Sequence, residues 1–257
     1  MRGATMIEPA SNRKPPSFAG TLVAMVLAPL ATGARAGPWE IGGTGIDSGY
    51  KAKIEVAYKD TASQTTWVRP AIGFAAPLNS RMSYELGLGH GVVEAAGDRS
   101  SGTRGLDMKL KWKLGDAARG LDWLVEPKLT IPIDDQASDI GAHKAVLEMP
   151  LRAGKALGKY YFTAEARYTH EFKSGYDSLV TYGGLIEYFP NQRWVVGLDL
   201  LSDLPIEGER RHHLRTNGAI KWRPTQRFEV QALLGRSIQN RRAEKATTAK
   251  VVVEYKF

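Results

Sequence analysis

The feature that most restricts what this chain can fold into is an alternation of apolar and polar residues, with a period of two, running from Tyr50 to the C-terminus. Leu106, Met108, Leu110, Trp112 and Leu114 alternate with Asp107, Lys109, Lys111 and Lys113. A helix would scatter those charges around its whole circumference, whereas a strand gathers them on one face. The segment Phe228, Val230, Ala232, Leu234 against Glu229, Gln231, Leu233 repeats the pattern. So does the end of the chain, where Thr247, Ala249, Val251, Val253, Tyr255 and Phe257 face away from Thr248, Lys250, Val252, Glu254 and Lys256. Apart from an ambiguous piece at 115–121, no long stretch carries a helical period.

The alternation predicts twelve strands, near 49–59, 65–76, 81–93, 104–114, 121–134, 143–155, 159–172, 177–189, 193–204, 212–223, 227–238 and 246–257. At about 10 to 14 residues each they exceed the usual length in soluble sheets and suffice for a tilted strand to cross a bilayer. After residue 36 no apolar run is long enough for a membrane helix, which leaves a strand-built span open. The connections alternate in strict order between tight turns, such as 189–193 and 223–227, and longer polar loops, such as 134–143 and 205–212. Three tight turns form an internal repeat of proline, polar residues, arginine and then an aromatic or Met: Pro77 to Met82, Pro190 to Trp194 and Pro224 to Phe228. The reading is an all-β, transmembrane, antiparallel up-and-down β-barrel of about twelve strands. Pro70, Pro127, Pro132 and Pro150 fall inside those strands. They mark bulges and strand ends, or the register over 121–155 differs and the strands number ten.

Taking the more apolar face as outward leaves the charges inside. Arg69, Glu85, Asp107, Lys109, Lys111, Lys113, Glu126, Lys128, Glu148, Arg152, Glu165 and Arg167 are the pore-lining candidates. Two readings follow from that set. Cross-strand pairs neutralise one another and fill the lumen, or a water-filled pore takes its ion preference from its lining. Lys109, Lys111 and Lys113 are the best local case for an anion-attracting strip, with Glu85, Asp107 and Glu126 as partners. Trp112, Trp123, Tyr160, Tyr161, Tyr188, Trp194, Trp222, Phe228, Tyr255 and Phe257 lie near tight turns or the C-terminus, where a periplasmic aromatic girdle belongs.

Residues 1–36 read as a secretory signal peptide: Arg2, Arg13 and Lys14 precede an apolar stretch from Phe18 to Leu30, and Ala34-Arg35-Ala36 closes it. The barrel domain is then 37–257. Removing four basic residues and Glu8 takes +3 from the net charge of +8 and leaves +5, with no clustered tract that would suit nucleic acid. The absence of cysteine excludes disulfides, thiolate metal sites and cysteine nucleophiles.

No catalytic residue, metal site or cofactor is expected. His212 and His213 lie beside Arg210 and Arg211, where like charge opposes a metal. A barrel-borne lipid hydrolase needs a serine and a histidine on one face; Tyr168 to Glu171 and His90 near Glu85 are the only places to look, with no serine at matched height. The glycine-rich stretch Ile41 to Gly49 has no helix after it and is not a phosphate loop.

The ending VVVEYKF, with Tyr255 two before a terminal Phe257, resembles the insertion signal of Gram-negative outer-membrane β-barrels. The repeated turns also resemble uncharacterised outer-membrane proteins of the porin and transporter kind, from which no functional residue is carried over. The first resemblance implies an outer-membrane location, contact with outer-membrane lipids and recognition of Tyr255 and Phe257 by the barrel-assembly machinery. The expected function is passive diffusion of small polar or amphipathic solutes, narrowed by inward side chains or by loop 134–143 or 205–212. A closed accessory barrel serving another envelope system is the alternative, and a lipid hydrolase the third.

Overall fold

A computed structural model describes residues 38–95, 97–115, 120–133, 145–172, 178–206, 212–240 and 245–257, with Arg69 and Asn240 described by their backbone alone. The strands are β1 Lys51–Asp60, β2 Gln64–Asn79, β3 Met82–Ala95, β4 Asp98–Lys113, β5 Asp122–Val125, β6 Lys128–Ile131, β7 Val146–Leu157, β8 Tyr160–Glu171, β9 Leu179–Tyr188, β10 Trp194–Pro205, β11 His213–Trp222, β12 Phe228–Asn240 and β13 Thr247–Lys256. Apart from β5 and β6, which do not pair with each other, neighbours in sequence pair antiparallel, and β1 pairs with β13 with Lys51 opposite Lys256. That last pairing closes the sheet and removes its edges. No helix occurs among the described residues.

β5 and β6 share one position between β4 and β7, so thirteen segments make twelve staves. The break is chemical and causes no slip. Lys113 faces Leu124 before it and Lys109 faces Lys128 after it, a single register. Across the gap the Leu110 N–H donates to the Pro127 carbonyl at 3.0 Å, and the Glu126 N–H to the Pro150 carbonyl at 3.0 Å. Pro127 has no N–H to return, and one ladder bond is missing there. Pro70 lies in a bulge, where the β2–β3 register jumps between Val68 and Ala71; Pro132 follows the end of β6; Pro150 stays in β7 opposite Arg167. The ten-strand alternative is thereby set aside.

The repeated turns have a physical cause. In two of them an asparagine caps the chain: Asn79 Oδ1 accepts the Arg81 N–H at 2.8 Å, and Asn191 Oδ1 accepts those of Arg193 and Trp194 at 2.9 and 3.1 Å. In the third, the Thr225 hydroxyl accepts from Arg227 and Phe228. Each arginine carbonyl then receives an N–H from the next hairpin: Lys113 to Arg81, Arg223 to Arg193 and Lys256 to Arg227, all at 2.8 Å. Short side-chain acceptors thus close the turn while its backbone stitches to the neighbour.

The apolar faces point outward, with Leu198 54% and Leu234 65% exposed. Aromatic side chains ring the tight-turn end, where Trp194 stacks on Trp222 at 5.9 Å and Tyr160 meets Tyr188 at 5.1 Å. Tyr161 does not belong to that girdle. It alternates with Tyr160 and therefore points inward, 2% exposed, with its hydroxyl donating to Asp122 at 3.0 Å. Replacing Leu198 by Arg at mid-strand is expected to lower stability in lipid vesicles by about 2–4 kcal/mol, read by denaturant titration. Unchanged stability would mean that this face does not meet hydrocarbon.

Candidate functional site

The inner face carries many charges, and on the wall from β3 to β8 they are paired. Lys109 contacts Glu85 at 3.0 Å, Lys113 contacts Asp122 at 3.1 Å, and Lys128 lies between Glu148 at 2.9 Å and Asp107 at 3.6 Å. Arg152 bridges Glu126 at 2.9 Å and Glu165 at 2.6 Å; Arg167 joins Glu165 to Glu148. The sequence-predicted residues Glu85, Asp107, Lys109, Lys111, Lys113, Glu126, Lys128, Glu148, Arg152, Glu165 and Arg167 are therefore brought together on one wall of β3 to β8. The partners differ from expectation in two places: Asp47 takes Lys111 and Asp122 takes Lys113, while Glu126 turns to Arg152. Arg69 is a bulge residue whose side chain lies outside the described set. Tyr255 and Phe257 make an edge-to-face pair at 5.2 Å on the outer surface.

The feature that the alternation does not reveal is the segment before β1. Residues 38–50 fold back into the barrel and cross its tight-turn half. Trp39 and Ile41 pack on Leu185, Val195, Leu201, Ala219 and Leu233. Lys221 sits 4.6 Å from the Trp39 ring. The Glu40 and Ile41 N–H groups donate to Asp199 Oδ2 at 2.9 and 3.4 Å, Arg167 donates to the Glu40 carbonyl at 2.8 Å, and Arg215 holds the Glu40 carboxylate at 2.6 Å. Thr44 hydrogen-bonds the Tyr161 hydroxyl. At the far wall Asp47 meets Lys51 at 2.7 Å and Lys111 at 2.9 Å, and its N–H donates to Ser83 at 3.1 Å. Glycine is needed for the crossing: a Cβ at Gly42 would stand 2.6 Å from the Arg152 guanidinium carbon, and one at Gly197 2.6 Å from the Trp39 ring. The sequence did hold a signal for this segment. Leu185, Val195, Leu201, Ala219 and Leu233 are apolar residues on the charged face, and they form its seat.

Asp47 is the electrostatic anchor. Burial on its own raises the carboxyl, but the Lys111 and Lys51 ammoniums outweigh that and hold it at about 2, below its ordinary 3.8.

Two spaces with lining residues in common lie within the barrel. One of about 160 Å³ lies against the segment, bordered by Trp39, Gly42, Gly43 and Arg152. Another of about 470 Å³ opens toward the long loops, bordered by Arg104, Asp107, Lys128 and Glu148. Lys53, Glu55, Glu85, Lys109 and Lys250 border both. Loop 134–143 and residues 207–211 of loop 205–212, expected to narrow the lumen, lie outside the described residues.

The histidines make contacts that spacing did not foresee. A serine does reach His170, with Ser178 Oγ 2.9 Å from its Nδ1. His213 begins β11 and bridges Asp203 at 3.1 Å and Ser237 at 2.9 Å. The order is that of a hydrolase relay. However, Ser237 is 4% exposed and already accepts the Ala246 N–H, and Asp203 also holds Arg215 and Thr181. Those bonds support a clasp joining β9 to β12. Among the described residues no group of acidic or histidine side chains is arranged to hold a metal.

No protein-family model matches the chain, and no curated protein matches it in sequence. Solved structures do match in fold. An outer-membrane channel from Pseudomonas putida F1 superposes with a TM-score of 0.63 at 17% identity, over 81% of this chain and 95% of that one. The NanC porin gives 0.58 at 9% identity, over 80% and 100%. The translocator domain of the autotransporter NalP from Neisseria meningitidis gives 0.53 at 9% identity, over 82% and 89%. The fold is that of the Gram-negative outer-membrane β-barrels: closed, antiparallel and twelve-staved.

The Asp47 clamp yields a prediction with a definite sign. Because its carboxyl is lower in the folded state, the clamp is fully stabilising above the ordinary value of 3.8 and is lost as pH falls through about 2. The shift corresponds to about 2 kcal/mol. Asp47→Asn at neutral pH should therefore speed hydrogen exchange of 38–50 more than tenfold, with the strands still protected. Equal exchange in both proteins would mean that the clamp does not hold the segment.

Proposed function

We propose that the chain is an outer-membrane channel for the passive diffusion of small polar or amphipathic solutes, narrowed from within by residues 38–50. The fold alone does not carry this reading, since a similar barrel serves an autotransporter as well as channels. What carries it is the lumen: charged side chains surround about 470 Å³ on the long-loop side, and the remaining length is obstructed by a separate segment as well as by the wall's own side chains. That segment makes no strand pairing with the wall and is held by side-chain contacts, which can open without disturbing the barrel.

Several further assignments belong to the same proposal. Residues 1–36 act as a signal peptide, outer-membrane lipids cover the apolar face, and the assembly machinery reads Tyr255 and Phe257. The paired charges named above line the diffusion path. A closed accessory barrel is the competing reading, favoured by how fully Trp39 and Ile41 are buried.

Liposome swelling separates the two. The refolded protein should admit small polar solutes at rates that fall steeply with solute size, and Asp199→Ala, which removes the acceptor of two segment N–H groups, should raise those rates several-fold. No swelling from either protein, with folding verified by heat-modifiable gel migration, would favour the closed barrel.

A further inference from the structure

Two of the lysines that the alternation singles out have a carboxylate of their own, Lys111 in Asp47 and Lys113 in Asp122, while Lys109 takes Glu85. Lys250 is different. It stands on the inner face of β13 and borders both lumenal spaces. Its cross-strand partners are Ala57 and Leu233, and Glu55 is opposite Val252, so the acidic group beside it is diagonal and not facing. Among the described residues neither Lys250 nor Glu55 makes a hydrogen bond or ion pair. Next to them Lys53 and Lys109 share one carboxylate oxygen, Glu85 Oε1. Three lysines and two glutamates border both spaces, and Glu40 on the crossing segment also acts on Lys250 from the smaller one.

The unpartnered ammonium and the shared oxygen select a ligand chemistry. An ammonium facing a confined space without a partner gains more from an entering anion than a surface lysine does, because less water screens it. A carboxylate supplies charge-assisted acceptors to Lys250 and to the lysines that now divide one oxygen. Lysines are compact charges on flexible stems, so they fit carboxylates of varied shape. A neutral solute makes only ordinary hydrogen bonds there. We infer that Lys250, with Lys53 and Lys109, forms a subsite for carboxylate-bearing solutes at the junction of the two lumenal spaces. Its use in transport rests on the channel reading, but binding does not.

The test measures both separately. Succinate is titrated into the refolded barrel in detergent by calorimetry, with dimethyl succinate as the uncharged probe of similar shape. The wild type should bind succinate and not its ester. Lys250→Met, which keeps the chain length and removes the charge, should weaken binding by about tenfold or more. Lys159→Met, in the exposed β7–β8 turn, should leave it unchanged. In bilayers the reversal potential in a salt gradient should move toward cation preference in Lys250→Met. Equal succinate affinity in wild type and Lys250→Met, or none in the wild type, would overturn the subsite even if the barrel conducts. Loss of binding in Lys250→Met from a barrel that conducts nothing would uphold the subsite while the channel reading fell.

Discussion

Everything in this molecule depends on the closing pair between β1 and β13. Lipid offers no partner for a backbone N–H, so a sheet that crosses a bilayer is stable only when its last strand hydrogen-bonds its first. Ten consecutive cross-strand partners from Lys51 to Asp60 meet that demand. Closure also explains why prolines are tolerated in mid-strand. A stave is held from both sides, and Pro127 loses a single bond while Leu110 and Lys128 keep their places. In an open sheet the same residue would belong at an edge.

Closure sets the inner problem as well. Turning the apolar face outward forces the other into a narrow space where unpartnered charges are costly. The wall answers with shared pairs such as Glu126–Arg152–Glu165, and with a segment that brings its own groups inside. Asp47 supplies the carboxylate that Lys111 lacks on the wall, Glu40 faces Arg215, and Asp199 receives the segment's N–H groups. The segment is therefore part of the charge balance of the lumen as well as its obstruction. Lys250 and Glu55 stay outside this scheme, at the one junction that both spaces reach.

How far the sequence could be read follows from the range of each interaction. Alternation is local, so strand number, faces and tight turns were legible, as was the inward set from Glu85 to Arg167. Tyr161 was misread because nearness to a turn does not say which way a side chain points; the alternation with Tyr160 does. The partners of Lys111 and Lys113 were not legible, because the expected carboxylates lay only on neighbouring strands. The crossing segment was hidden most deeply. It has no period, its glycines suit many roles, and its anchor at Asp199 lies 159 residues away from Glu40.

On the channel reading, residues 38–50 obstruct a lumen that would otherwise conduct. The decisive comparison is single-channel recording of the barrel 37–257 beside a form lacking 38–48, each shown to be folded by heat-modifiable migration. Small or intermittent currents are expected from 37–257, and steady steps several-fold larger from the shortened form. Identical conductance in the two would contradict it.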